Sequence, residues 1–174
     1  LAQPDVSTIV NASAAHLEGF GSLFGVARAK SEIFNGLQTD GLAILNKDSQ
    51  FFEYWSGKLT DKRTSTFSMT ADHADFYPED VIIGLDGCAQ FDLCTPEGKV
   101  GIWLTLPGIH NVNNALVAAA LAMEVGASLE QVATGLRQLK QVSGRLNVKE
   151  LSNQIRILDD TYNANVASVN AALD

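Results

Sequence analysis

Two hydrophobic patterns alternate along the chain: short continuous apolar runs, which predict buried strands, and apolar residues every third or fourth position, which predict helices. Residues 6–10 and 41–46 read as buried strands. Between them lie a loop at 12–25, rich in glycine and small residues, and a helix at 24–34 with Val26, Ala27, Ala29 and Ile33 on one stripe and Asn35-Gly36 as its closing pair. A short helix at 49–56 and a strand at 64–69 follow, then strands at 81–85, 89–94 and 100–106 separated by Gly87 and the Pro96-Glu97-Gly98 turn. An apolar helix begins just after Pro107-Gly108, carries Asn111 and Asn114 in its first turn and runs on through 115–123, and a second helix, 129–139, is N-capped by Ser128. Strands at 146–151 and 154–158 are joined by Ser152-Asn153, and a last helix runs over 165–173. This order predicts an α/β fold: a mostly parallel central sheet flanked by helices, with a small antiparallel β subregion over residues 64–106.

The most informative segment is Leu106-Pro107-Gly108-Ile109-His110-Asn111-Val112-Asn113-Asn114, leading into the helix that is apolar almost all round. A helix of that kind is buried, so His110, Asn111 and Asn114 stand at a buried helix's N-terminus. Unsatisfied N–H groups and the positive dipole end gather there, which suits a nucleotide or other anion. Simple capping accounts equally for one of the amides.

Composition narrows the function classes. The chain has 174 residues, 46% of them hydrophobic and 18% charged, enough for one good core. A net charge of −8 argues against duplex nucleic acid, because no basic stripe exists to release counterions. ATP stays open, since magnesium and a few cations can meet its charge locally. No apolar run is long enough to span a bilayer, and no signal peptide opens the chain. Cys88 and Cys94 are too far apart for a CxxC pair and are expected to be free thiols in a cytoplasmic protein. Leu1 replaces an initiator methionine and Asp174 falls inside the last predicted helix, so the chain reads as a domain of a longer polypeptide.

Four polar islands could carry chemistry. Asn11 to Ser22, at the carboxyl end of the first strand, contains His16, a potential metal ligand or a surface hydrogen-bonding group. Lys30 sits among small apolar neighbours, where partial desolvation would make its amine reactive toward carbon dioxide; otherwise it is a solvated helix lysine. Gly144-Arg145 at a strand start could present a fork of donors to phosphate, or a plain surface charge. Asp159-Asp160-Thr161-Tyr162-Asn163-Ala164-Asn165 ends an apolar strand with carboxylates suited to ribose hydroxyls or a cation.

In order and spacing, the set resembles the central domain of the Mur ligase family. The matching pieces are HLEGFGS at 16–22, ARAKSEIF at 27–34, Leu106-Pro107-Gly108 with His110-Asn111 and Asn114, Gly144-Arg145, and DDTYNANV at 159–166. HLEGFGS and DDTYNANVAS are most similar to the branch that adds D-alanyl-D-alanine to UDP-N-acetylmuramoyl-tripeptide. The resemblance implies a P-loop NTPase-like fold and an ATP-dependent amide ligase of peptidoglycan synthesis working through an acyl phosphate. It implies ATP and Mg2+, with His16 and a carbamylated Lys30 on the cation, Asn111 and Asn114 near adenine, Arg145 on phosphate or ribose, and Asp160 on ribose. Asn11, His110, Asn163 and Asn165 would support them.

No GxxxxGK[ST] loop occurs: Gly57-Lys58 is followed by Leu59 and Gly98-Lys99 by Val100. The resemblance places that loop before Leu1, so the chain by itself is expected to be inactive and, with a sheet edge uncovered, to self-associate. The competing expectations are a folylpolyglutamate synthetase-like ligase and a non-catalytic nucleotide-binding or interaction module.

Overall fold

A computed structural model describes residues 2–13, 17–140, 142–145, 147–151, 155–162 and 169–170. The elements in chain order are β1 (Val6–Ile9), α1 (Leu17–Phe20), α2 (Leu23–Lys30), a 3-10 turn (Ser31–Gly36), β2 (Leu42–Asn46), α3 (Phe52–Gly57), β3 (Arg63–Phe67), β4 (Tyr77–Ile83), β5 (Cys88–Thr95), β6 (Gly98–Pro107), α4 (His110–Glu124), α5 (Leu129–Arg137), β7 (Asn147–Leu151) and β8 (Ile155–Asp159).

Sheet order follows from which faces are apolar. β2 is buried at every position, as a central parallel strand covered on both faces must be. It pairs in parallel with β1 on one side and β3 on the other. Leu42 and Ile44 face one core with Val112, Ala115, Leu116, Ala119 and Ala120 of α4. Ala43 and Leu45 face a second core with Ala27, Phe34, Phe51 and Trp55. Trp55 is fully buried and donates its indole N–H to the Ala27 carbonyl at 3.2 Å, tying α3 to α2.

β4, β5 and β6 form a separate antiparallel sheet whose inner face, with Phe91, Leu93, Ile102 and Leu104, joins the α4 core. β7 and β8 pair antiparallel, with Asn147 opposite Asp159. The α/β class and the parallel sheet with its antiparallel companion are as expected.

Several boundaries differ for physical reasons. The strand expected at 64–69 is β3, which joins the parallel sheet, so antiparallel structure starts at Tyr77 rather than at 64. The expected helix at 24–34 stops at Lys30 and continues as a 3-10 turn. The loop expected at 12–25 contains α1 and the start of α2, which Ser22 caps by accepting the Gly25 N–H at 3.0 Å. β4 begins four residues before its expected start because Pro78-Glu79-Asp80 interrupts the apolar run with a bulge, Asp80 adopting φ +52°. That bulge leaves Ile82 63% exposed, so an apolar stretch that reads as core lies on the surface of an edge strand. Ser152-Asn153 lies outside the described residues, as does most of the helix expected at 165–173, of which 169–170 are described and helical.

Candidate functional site

The carboxyl ends of β1, β2 and β3 are fastened together by two side chains. Asn46, nearly buried, donates from Nδ2 to the Val10 carbonyl at 2.9 Å, and its Oδ1 accepts the Asp48 N–H at 2.9 Å. The Asp48 carboxylate accepts hydrogen bonds from Ser68 Oγ (2.5 Å), the Met69 N–H (2.6 Å) and Thr70 Oγ1 (2.8 Å). Ser68 is fully buried, and its hydroxyl accepts the N–H groups of Thr70 and Ala71. This clasp sets the exit of β1, where exposed Asn11 follows directly. An Asn-x-Asp ending a buried strand was the available signal for it.

A second group of polar contacts lies at the β6–α4 junction. Gly108 has φ +99°, and its N–H donates to the Gly87 carbonyl at 2.8 Å. A β-carbon there would come within 2.8 Å of His110 Nδ1, so the glycine is what admits the half-buried imidazole. Burial pushes the His110 pKa down, against a smaller upward pull from the Asp160 charge. His110 and Asp160, 50 positions apart by their numbers, are therefore electrostatic neighbours.

Neither amide caps α4: its N-cap is Ile109, with no side-chain cap bond. Asn111 instead donates from Nδ2 to the Pro107 carbonyl at 2.8 Å, and its Oδ1 accepts Asn114 Nδ2 at 3.1 Å. Pro107 can only accept, so the polarity of this amide chain is fixed.

The third part is the Gly144-Arg145 turn against the end of β8. Tyr162 N–H donates to the Gly144 carbonyl at 3.1 Å, and the Arg145 guanidinium stacks 4.1 Å from the Tyr162 ring centroid. Lys149 and the Thr161 hydroxyl bond the Asp159 carboxylate at 2.7 and 2.8 Å and lower its pKa, Lys149 contributing most.

Direct contacts thus link Asn111 to Asn114 and Gly144-Arg145 to Tyr162, and His110 feels the charge of Asp160. Tyr162, Asn46 and Asp48 are additions to the sequence-derived set. Lys30 lies exposed in the last turn of α2, so the burial on which a desolvated amine depended is not there. Among the described residues no hydrogen bond or ion pair joins Lys30 to the α4 residues. His16, Asn163 and Asn165 lie outside the described residues. Among the described residues no three His, Cys, Asp or Glu side chains group as a metal site, and no helix is long and apolar enough to cross a membrane. Cys88 and Cys94 are both free. A cleft of about 640 Å³, lined by Asp5, Gln38, Asp40, Arg63 and Glu124, opens at the opposite, amino-terminal edge of the parallel sheet.

Comparison with known proteins identifies the family. The Mur ligase middle domain family matches residues 1–122. UDP-N-acetylmuramoyl-tripeptide–D-alanyl-D-alanine ligase of Escherichia coli (strain K12) is 46% identical over 173 residues, 99% of this chain and 38% of the relative. The ligase of the same name from Bacillus subtilis (strain 168) is 33% identical over 99% of the chain and 36% of its own length. A crystal structure of MurF from Acinetobacter baumannii superposes with a TM-score of 0.91 at 36% identity, covering 97% of this chain and 36% of that one. MurF ligase of Thermotoga maritima, in complex with ADP, shares the fold with a TM-score of 0.84 at 23% identity, over 99% of this chain and 39% of that one. The chain spans little more than a third of the length of these relatives. It belongs to the Mur ligase family and carries that family's middle domain.

Proposed function

We propose that this chain is the ATP-handling middle domain of a longer cytoplasmic ligase that joins D-alanyl-D-alanine to UDP-N-acetylmuramoyl-tripeptide. The observation that carries the reading is identity of 46% and 42% to two ligases of that name over essentially the whole chain. The ADP complex of the Thermotoga maritima relative supports nucleotide as the common ligand.

In the proposed reaction the tripeptide carboxylate attacks the γ-phosphorus of ATP, breaking the bond to the β–γ bridging oxygen and releasing ADP. The dipeptide amine then attacks the acyl phosphate carbonyl, and the tetrahedral intermediate collapses with loss of phosphate and a proton. Asn114, oriented by Asn111, faces the purine. His110, held largely neutral at pH 7 by burial, offers a hydrogen-bonding surface without adding charge. Asp160 takes the ribose hydroxyls and Arg145 the phosphates. The family resemblance, rather than the surroundings of exposed Lys30, supports a carbamate on its amine, which together with His16 would hold a magnesium ion. Bound there, the ion would neutralise charge on the transferring phosphoryl group. Asn11, Asn163 and Asn165 act as supporting polar groups. The phosphate loop is assigned to sequence outside these 174 residues.

The test is amide formation by the full-length protein with ATP, UDP-N-acetylmuramoyl-tripeptide and D-alanyl-D-alanine, read as ADP release and product mass. Turnover with all three, and none from the 174-residue chain alone, supports the reading. Glutamate addition to a folate in place of this reaction would replace it with the folylpolyglutamate alternative. Lys30→Ala is expected to lose most activity, and mass spectrometry at high bicarbonate to show the added carbamate; full activity in that variant removes the role given to Lys30.

A further inference from the structure

The antiparallel sheet has two faces of different character. Phe91, Leu93, Ile102 and Leu104 belong to the α4 core. On the opposite face Ile82 pairs with Gln90 and Gln90 with Trp103, so these three stand in one row across β4, β5 and β6. Ile82 is 63% and Trp103 46% exposed, with exposed Gln90 between them. Strand alternation calls for polar residues on a solvated face. It does not explain a tryptophan and an isoleucine there.

The Trp103 side chain is held in place without being buried. A β-carbon on Gly101 would come within 2.9 Å of the ring, so the indole lies down over the glycine. The Arg137 guanidinium stacks on the ring, 4.8 Å from its centroid. Just beyond α5, the Leu139 carbonyl accepts the Thr105 hydroxyl at 2.6 Å, which brings exposed Lys140 to the same margin of β6. An aromatic side chain already fixed in this way loses little freedom when a partner settles on it.

Charge on this face is uneven. Towards the β5–β6 turn, Lys99 pairs with Glu79 at 2.8 Å and with Asp92 at 2.9 Å. Among the described residues neither Arg137 nor Lys140 meets a carboxylate. The indole takes the face of the Arg137 guanidinium and leaves its in-plane donors directed outward, the geometry that a carboxylate fits with two parallel bonds. Two uncompensated cations beside an ordered tryptophan, on a chain of net charge −8, are complementary to an acidic partner. Tryptophan and arginine are also the residue types that dominate interface energies. A lipid surface fits less well, because the ring lies down on Gly101 rather than projecting, and the net charge opposes an anionic bilayer.

We propose that the outer face of the β4–β6 sheet is a docking site for an acidic, extended segment of a partner protein. A carboxylate of that segment sits on the Arg137 edge, and an apolar side chain rests on Trp103 and Ile82.

The experiment is fluorescence anisotropy of the full-length protein with a fluorescein-labelled peptide in which glutamates flank a leucine. Saturable binding that weakens as salt rises is expected, with clear loss when glutamines replace the glutamates. Arg137→Met is expected to weaken binding about two- to fivefold, the range for an exposed charge pair. Trp103→Ala should weaken it about tenfold or more, as for an interface anchor, and Trp103→Phe less. If Trp103→Ala does not fold, Arg137→Met and Lys140→Met, both at exposed positions, decide the matter. No saturable binding, equal binding of the glutamine peptide, or affinity unchanged in all variants would each overturn the proposal. So would Arg137-dependent binding to phosphatidylglycerol vesicles without peptide binding, which makes the face a membrane contact. Self-association that Trp103→Ala abolishes, again without peptide binding, would replace the partner with a second copy of the chain.

Discussion

Gly108→Ala and Gly126→Ala make a matched pair at the two ends of α4. Both glycines are left-handed, with φ of +99° and +96°. A β-carbon at Gly126 would meet nothing within 4 Å, whereas one at Gly108 would sit 2.8 Å from His110 Nδ1. Gly126→Ala therefore measures the backbone alone, roughly 1–2 kcal/mol for an L-residue in this conformation, offset in part by a stiffer unfolded chain. Gly108→Ala adds displacement of the imidazole, about 1–3 kcal/mol by comparison with other overpacked sites. The expected difference between the variants is thus about 1–3 kcal/mol, read from urea unfolding of the 174-residue chain with the slope m unchanged. His110→Ala in the Gly108→Ala background should recover that difference, a favourable coupling between touching residues. The same substitution should weaken nucleotide binding in the full-length protein, while Gly126→Ala leaves it unchanged. Equal stabilities within about 0.5 kcal/mol, the usual scatter of surface substitutions, would refute the packing argument for Gly108.

Further expectations concern the core, a cap and pH. Leu116→Ala should cost about 4 kcal/mol by denaturant unfolding, since Leu116 is fully buried beside Ala115, Ala119 and Ala120, whose methyl groups cannot swing into the space. Ser128→Ala should cost about 1 kcal/mol, because the Gln131 N–H loses the hydroxyl that accepts it, while residue 128 keeps the N–H that donates to Gln131 Oε1. His110 has a folded pKa below its unfolded value, so its share of stability is complete above about pH 6.5 and is lost as pH falls below it. His110→Gln should flatten that part of the stability–pH curve, and an unchanged slope would count against burial as the cause. Asp159 is likewise depressed, so its contribution is present above the ordinary carboxylate range and lost as acid protonates the folded form. Asp159→Asn should remove acid sensitivity in that range, measured by chemical unfolding from pH 5 downward.

Local patterns were readable where one requirement dominated. β2 is apolar throughout because both its faces are covered, and α5 announces itself through Ser128 and Gln131. Misreadings arose where long-range contacts decide. The strand at Arg63–Phe67 has no local feature that marks its partner as β2 and its direction as parallel; the position of β2 between two cores settles that. Val81, Ile82 and Ile83 look like core by composition, yet the bulge after Glu79 places them at an open edge. For the candidate site, residue types and their positions at strand and helix ends nominate Asn111, Asn114, Arg145 and Asp160, whose roles are those proposed above. The sequence left open that Asn111 bonds Pro107 rather than capping the helix, and that Tyr162 lies under Arg145, because both depend on side-chain direction between segments.

The reach of Asn46 has a consequence for how the molecule assembles. Its amide bonds the peptide carbonyl of Val10, 36 positions earlier in the chain, so the first loop acquires its final shape only after the second strand has docked. Substitution of this one amide should therefore loosen a stretch far upstream of itself, and hydrogen exchange there should quicken while α5, at the far side of the other core, keeps its protection.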